Sequence, residues 1–116
     1  MSKEKGGAIL NIVSIMALRA GFGNVNYAAS KSGVIALTKG AARELGRFHI
    51  TVNAVLPGFH ETDMASALTP EHKKRVMDEH VLGHPTKMGD LARVVLEIAR
   101  NRSMSGQVIN VDSRVV

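Results

Sequence analysis

The sequence has no cysteine, which excludes disulfide bonds and thiolate metal sites within its 116 residues. A reducing, cytoplasmic setting is the expectation that fits. Aromatic residues are scarce, with one Tyr, three Phe and no Trp. The positive residues form no dense run, so neither a stacking platform nor a basic stripe for nucleic acid is expected. No stretch approaches the roughly 20 apolar residues that a membrane-spanning helix needs. Asn11 and Ser14 interrupt the first apolar run, so the start does not read as a signal peptide. His49, His72, His80 and His84 share no metal-ligand spacing, so no metal site is expected.

What is present is an ordinary globular composition, 45% hydrophobic and 22% charged. The net charge of +5 suits a plain basic surface, an acidic partner or an anionic cofactor. Ala8–Val13 is short, apolar and partly β-branched, which predicts a buried strand of a parallel sheet. The glycine-containing stretch 14–26 then predicts a loop over the end of that strand. From Tyr27 to Arg47 small and aliphatic residues dominate, and Val34, Leu37, Ala41 and Leu45 recur at helical spacing. Gly33 and Gly40 weaken this helix locally, so they predict close packing against another backbone.

Ile50–Leu56 is a second β-branched run, stopped by Pro57-Gly58. Strand, helix and strand make a βαβ unit with parallel strands and a right-handed crossover. Thr69 and Pro70 open another helix as N-cap and first helical residue. A last helix runs from about Asp90 to Arg100, with Leu91, Val94, Val95 and Ile98 on one face. Gln107–Val111 is a third strand. The order β-α-β-α-α-β predicts an α/β fold of one unit, with ligands beyond the C-terminal ends of the strands.

At that end three residues could work together. Ser14 closes the first strand, while Tyr27 and Lys31 are one helical turn apart and share a face. A tyrosine is a poor acid or base near neutrality, but a neighbouring ammonium and the positive end of a helix dipole both favour the phenolate. A serine hydroxyl nearby can donate a hydrogen bond to a substrate oxygen. The trio suits proton donation to a carbonyl. Spacing alone does not identify a reaction, because a Tyr before a Lys on a helix is also an ordinary surface pair. A Ser after a strand is equally a turn or cap residue.

Asn26-Tyr27-Ala28-Ala29-Ser30-Lys31 resembles the Tyr-x-x-x-Lys signature of the short-chain dehydrogenase/reductase family. Ile12-Val13-Ser14 falls where that family has its catalytic serine. Val52-Asn53 with Pro57-Gly58-Phe59, and Gly106–Asp112, resemble its following strand-and-turn segment and its last strand. Pro57–Met64 and Ala42-Arg43-Glu44-Leu45 are most similar to the 3-oxoacyl-[acyl-carrier-protein] reductases of the family. The resemblance implies a partial Rossmann-like, doubly wound parallel sheet: the C-terminal three strands with flanking helices, spanning 1–116. The family's N-terminal nucleotide-binding half, with its glycine-rich turn, has no counterpart in this sequence.

The resemblance also implies roles. Tyr27 would be the general acid, Lys31 would assist it and hold the nicotinamide ribose, and Ser14 would orient the substrate carbonyl. Tyr27, Lys31, Pro57, Gly58, His60 and Thr62 would contact the cofactor, NADP with NAD as the alternative, once a nucleotide-binding half is supplied. An acyl thioester or acyl carrier protein would be the substrate partner, and the 27–47 helix would form a homo-oligomer. The departures are His60 in place of an aliphatic residue, Val13 before the serine, and Asp112-Ser113-Arg114 in place of Asp-Gly-Gly. They leave two rival readings, a non-catalytic oligomerisation or binding module and a decayed gene fragment.

Overall fold

A computed structural model describes residues 5–19, 21–60 and 68–116. Three parallel strands form one open sheet in the order β1 (Gly7–Ile12), β2 (Ile50–Leu56) and β3 (Val108–Asn110). Gly7 pairs with Ile50 and Ile12 with Val55, while Ala54 pairs with Val108 and Leu56 with Asn110. Helix α1 (Val25–Leu45) crosses from β1 to β2, and α2 (Pro70–Asp78) and α3 (Met88–Arg100) lie between β2 and β3. This is the α/β arrangement that the sequence predicts, a partial Rossmann-like sheet.

The central strand is the most buried element. Every residue from Thr51 to Leu56 is buried, as expected of a strand covered on both faces. Val13, Ile15, Ala54 and Leu56 form the core, with Met16, Ala17, Val34, Ile35 and Val108 packed on it. Asn11, Thr38 and Asn53 are paired here, while the buried Thr51 hydroxyl has no hydrogen-bond partner among the described residues. The Thr38 hydroxyl donates to the Val34 carbonyl (2.8 Å) and accepts from Asn11 Nδ2 (2.9 Å), tying α1 to β1. Asn53 donates to the Met104 carbonyl and accepts from the Gln107 amide, both at 3.0 Å, which fixes the turn that delivers β3.

Strand β1 differs from its expected environment. Its residues are only half-buried and Ile12 is 55% exposed, because among the described residues it pairs with β2 alone. The radius of gyration, 15.7 Å, exceeds the ~13 Å typical of a compact domain of ~100 residues. Helix α1 also departs from its reading. A Cβ added at Gly33 or Gly40 would meet nothing within 4 Å, so these glycines face open space within the chain. Leu37 is 63% exposed, and Ala28 and Thr38 occupy the buried face in its place. Thr69 caps α2 as expected, accepting from the His72 amide (3.2 Å).

Candidate active site

Parallel pairing brings the C-terminal ends of β1 and β2, and the start of α1, to one edge of the sheet. Ser14 leaves β1 just after Val13, whose amide continues the ladder to the Val55 carbonyl (2.9 Å). The sequence suggests a plain loop here, but Ser14 caps a short 3-10 turn over Ile15–Ala17. Its Oγ accepts from the Met16 amide (3.2 Å), which leaves the hydroxyl proton free to donate elsewhere. The turn is docked on α1 through Ser32 Oγ, which donates to the Ala17 carbonyl (2.9 Å). Arg19 pairs with Glu79 at the end of α2.

Tyr27 lies in the first turn of α1, about half exposed. Lys31 Nζ stands 5.7 Å from the centroid of its ring, within cation–π range. The structure therefore brings Tyr27 and Lys31 together as their spacing predicts. Among the described residues no hydrogen bond joins Ser14 to either of them. Asn24 precedes α1 without a side-chain cap, so the positive end of the helix points toward this edge uncompensated.

The segment after β2 carries the other candidates. Gly58 has φ 86°, and a Cβ there would come within 2.0 Å of Thr86 Oγ1 and 2.8 Å of the Val111 carbonyl. Only glycine fits both the backbone conformation and the space. Thr86 donates to the Val111 carbonyl (2.5 Å), so Gly58 rests on the connection between α2 and α3 and on the exit of β3. His60 Nε2 donates to the Pro57 carbonyl (2.7 Å), closing a tight turn over Pro57–His60. Thr62 lies outside the described residues.

Sequence reading missed Thr86 and a second group. Arg114, where the family pattern has glycine, folds back on Asp112. Its backbone N–H and Nε reach Oδ1 (2.8 and 3.2 Å), while Nε and Nη2 reach Oδ2 (2.9 and 2.6 Å). Burial pushes the Asp112 carboxyl up. Hydrogen bonds from the Arg114 side chain and backbone, with the charges of Arg114 and His80, outweigh this and hold it below the ordinary carboxylate range. Asp112 and Arg114 are two residues apart and could have been read as an Asx turn. His80 is distant in sequence and gave no signal.

A phenol and an ammonium in contact, with a hydroxyl at the end of β1, place proton donors at one edge of the sheet. Tyr27 is exposed, and Ser14 and Lys31 are partly buried. A cavity of about 440 Å³ lies elsewhere, between Val81, Leu82, Pro85, Val111 and Val115. Among the described residues no helix is long and apolar enough to cross a membrane, and no group of three or more metal-type ligands occurs.

A family profile described as enoyl-(acyl carrier protein) reductase matches residues 1–113. The chain belongs to the short-chain dehydrogenase/reductase family. It is 40% identical over 118 aligned residues to the 3-oxoacyl-[acyl-carrier-protein] reductase FabG of Thermotoga maritima, covering 100% of this chain and 48% of the relative. The proteins of the same name from Staphylococcus epidermidis and Chlamydia muridarum are each 40% identical over 114 residues. In both, the match covers 97% of this chain, with 47% and 46% of the relative. The chain thus spans about half the length of the curated relatives it matches.

Proposed function

We propose that this chain carries the proton-transfer half of a cytoplasmic nicotinamide-dependent oxidoreductase that reduces a 3-oxoacyl thioester to the 3-hydroxyacyl form. The observation that carries the reading is the Tyr27–Lys31 pair at the uncompensated N-terminus of α1, on the sheet edge where Ser14 also emerges. Ser14 donates a hydrogen bond from its hydroxyl to the substrate carbonyl oxygen and orients it. Tyr27 delivers a proton to that oxygen as charge develops. Lys31 stabilises the phenolate left behind and holds the ribose of the cofactor, NADP with NAD as the alternative. Pro57, Gly58, His60 and Thr62 line the nicotinamide and its neighbouring phosphate. The cofactor, when bound, supplies the hydride.

The family's glycine-rich phosphate-binding turn, which would hold the cofactor's pyrophosphate, has no counterpart among residues 1–116. The reading therefore includes a second, glycine-rich βαβ half that pairs with the open side of β1. The open glycine face of α1 favours a further element of the proposal, a homo-oligomer formed through that helix. The same face suits the second reading, a non-catalytic oligomerisation module.

The test is NADPH consumption with a 3-oxoacyl thioester and, separately, with an enoyl thioester. The chain is assayed alone and mixed with a glycine-rich half. Turnover of the 3-oxoacyl substrate by the mixture supports the proposal. Turnover of the enoyl substrate alone overturns the substrate assignment, and no turnover of either leaves the binding-module reading.

A further inference from the structure

The most deeply buried ionisable cluster among the described residues lies outside the Ser14–Tyr27–Lys31 group. The side chains of His80, Asp112 and Arg114 are 0%, 1% and 8% exposed. Each is fixed by more than one contact. His80 Nδ1 donates to the Val76 carbonyl one turn back (2.9 Å), which places a proton on Nδ1, because a carbonyl can only accept. Its Nε2 has no hydrogen-bond partner and faces Asp112 Oδ1 at 3.6 Å. Asp112 is held in turn by the Arg114 fork. The backbones are joined as well: His80 and Arg114 form an antiparallel bridge, and the Val81 amide donates to the Ser113 carbonyl (3.2 Å).

The cluster touches the turn assigned to the cofactor. The His80 ring meets the Phe59 ring edge-on, with centroids 6.5 Å apart and planes at 60°. One residue earlier, Gly58 rests on Thr86 and the Val111 carbonyl. Two successive residues of the Pro57–His60 turn are therefore seated on the segment 111–114 or on groups clamped by it.

We propose that His80 is a positioning residue, locked by the Asp112–Arg114 fork and setting the orientation of Phe59 and hence of the Pro57–His60 turn. Arg114 then acts on the turn at one remove, through Asp112 and His80. Its consequence for cofactor binding rests on the function proposed above; the mechanical coupling does not, and it is tested without cofactor.

The experiment is nuclear magnetic resonance of the uniformly labelled chain, parent against Arg114→Ala, Arg114→Lys and Phe59→Ala. In the parent, the nitrogen shifts of His80 should report a proton on Nδ1. Arg114→Ala should shift the Phe59 ring and His60 amide signals and speed exchange of the Val81 amide by about tenfold or more. The Thr38 and Asn53 signals should stay in place as controls for an intact sheet. Arg114→Lys, which keeps the charge without the fork, should restore part of the effect. Phe59→Ala reads the coupling from the other side and should move the His80 ring signals, so the test stands even where Arg114→Ala does not fold. Unmoved Phe59 and His60 signals in a folded Arg114→Ala would overturn the proposal and leave the cluster a support for the C-terminal tail alone. So would unmoved His80 signals in Phe59→Ala, or a parent His80 protonated on Nε2 only.

Discussion

Replacing Arg114 by alanine removes every side-chain donor that faces Asp112 from its own segment, and the structure sets the direction of the effect on stability and of its pH dependence. The carboxylate is 1% exposed and accepts from Arg114 Nε and Nη2 at 2.6–3.2 Å. Breaking a buried pair by deleting one partner costs about 3–5 kcal/mol, because the remaining charge stays buried and uncompensated. That is a large share of the ~5–15 kcal/mol margin typical of a whole domain. In the parent the folded carboxyl lies below its unfolded value, so the unfolded state binds more protons in acid. The contribution is fully present above the unfolded value and is lost as pH falls through the folded one, from about pH 4–5 downward. In Arg114→Ala burial is opposed only by the backbone N–H at position 114 and by His80, so the carboxyl rises relative to the parent and its acid limb begins at higher pH. Protonation then relieves the buried charge, and the gap between variant and parent narrows as pH falls. Urea unfolding followed by circular dichroism between pH 7.5 and 4.5 checks this. Replacing both partners, Asp112→Leu with Arg114→Met, should lie nearer the parent than Arg114→Ala does. A gap below ~1 kcal/mol at neutral pH, or one that does not change with pH, would refute the reasoning.

Gly58→Ala should destabilise the chain by at least ~1–3 kcal/mol, since φ 86° and the 2.0 Å approach of Thr86 Oγ1 both exclude a Cβ; chemical unfolding measures it. The chain alone should not bind NADP(H) at micromolar concentrations, because it lacks a glycine-rich phosphate turn. A titration followed by nucleotide fluorescence decides this, and micromolar affinity would show that the binding determinants lie elsewhere. The chain should also self-associate in sedimentation at several micromolar concentrations, because the open edge of β1 and the glycine face of α1 both invite a second chain. A single monomeric species would contradict that.

Local signals in the sequence were good guides where burial is local. Ile50–Leu56 is a strand with the bounds its β-branched run predicts, and Thr69-Pro70 opens α2 as cap and first residue. Tyr27 and Lys31 meet because one helical turn separates them, which needs no tertiary information. The exposure of β1 was not legible in the strand's own residues, since an apolar strand reads the same whether one neighbour or two lie beside it. Gly33 and Gly40 were misleading as signs of packing within the chain, because a glycine records only that a close approach is tolerated, not who approaches. His80 escaped notice because its partners Asp112 and Arg114 arrive from the far end of the chain. The Asp112-Ser113-Arg114 departure was visible in the sequence, but the fold alone shows that it brings a buried guanidinium to a buried carboxylate.

The central claim is that Tyr27 supplies the proton in a carbonyl reduction that this chain completes together with a nucleotide-binding half. The direct measurement is the rate of NADPH-dependent 3-oxoacyl thioester reduction by the chain mixed with that half, comparing the parent with Tyr27→Phe and Ser14→Ala. A general acid contributes roughly 10²–10⁴-fold, so Tyr27→Phe should lose at least ~10²-fold while remaining folded by circular dichroism. Ser14→Ala should lose less, because water can take over part of the hydroxyl's role. Equal rates for Tyr27→Phe and the parent would contradict the account.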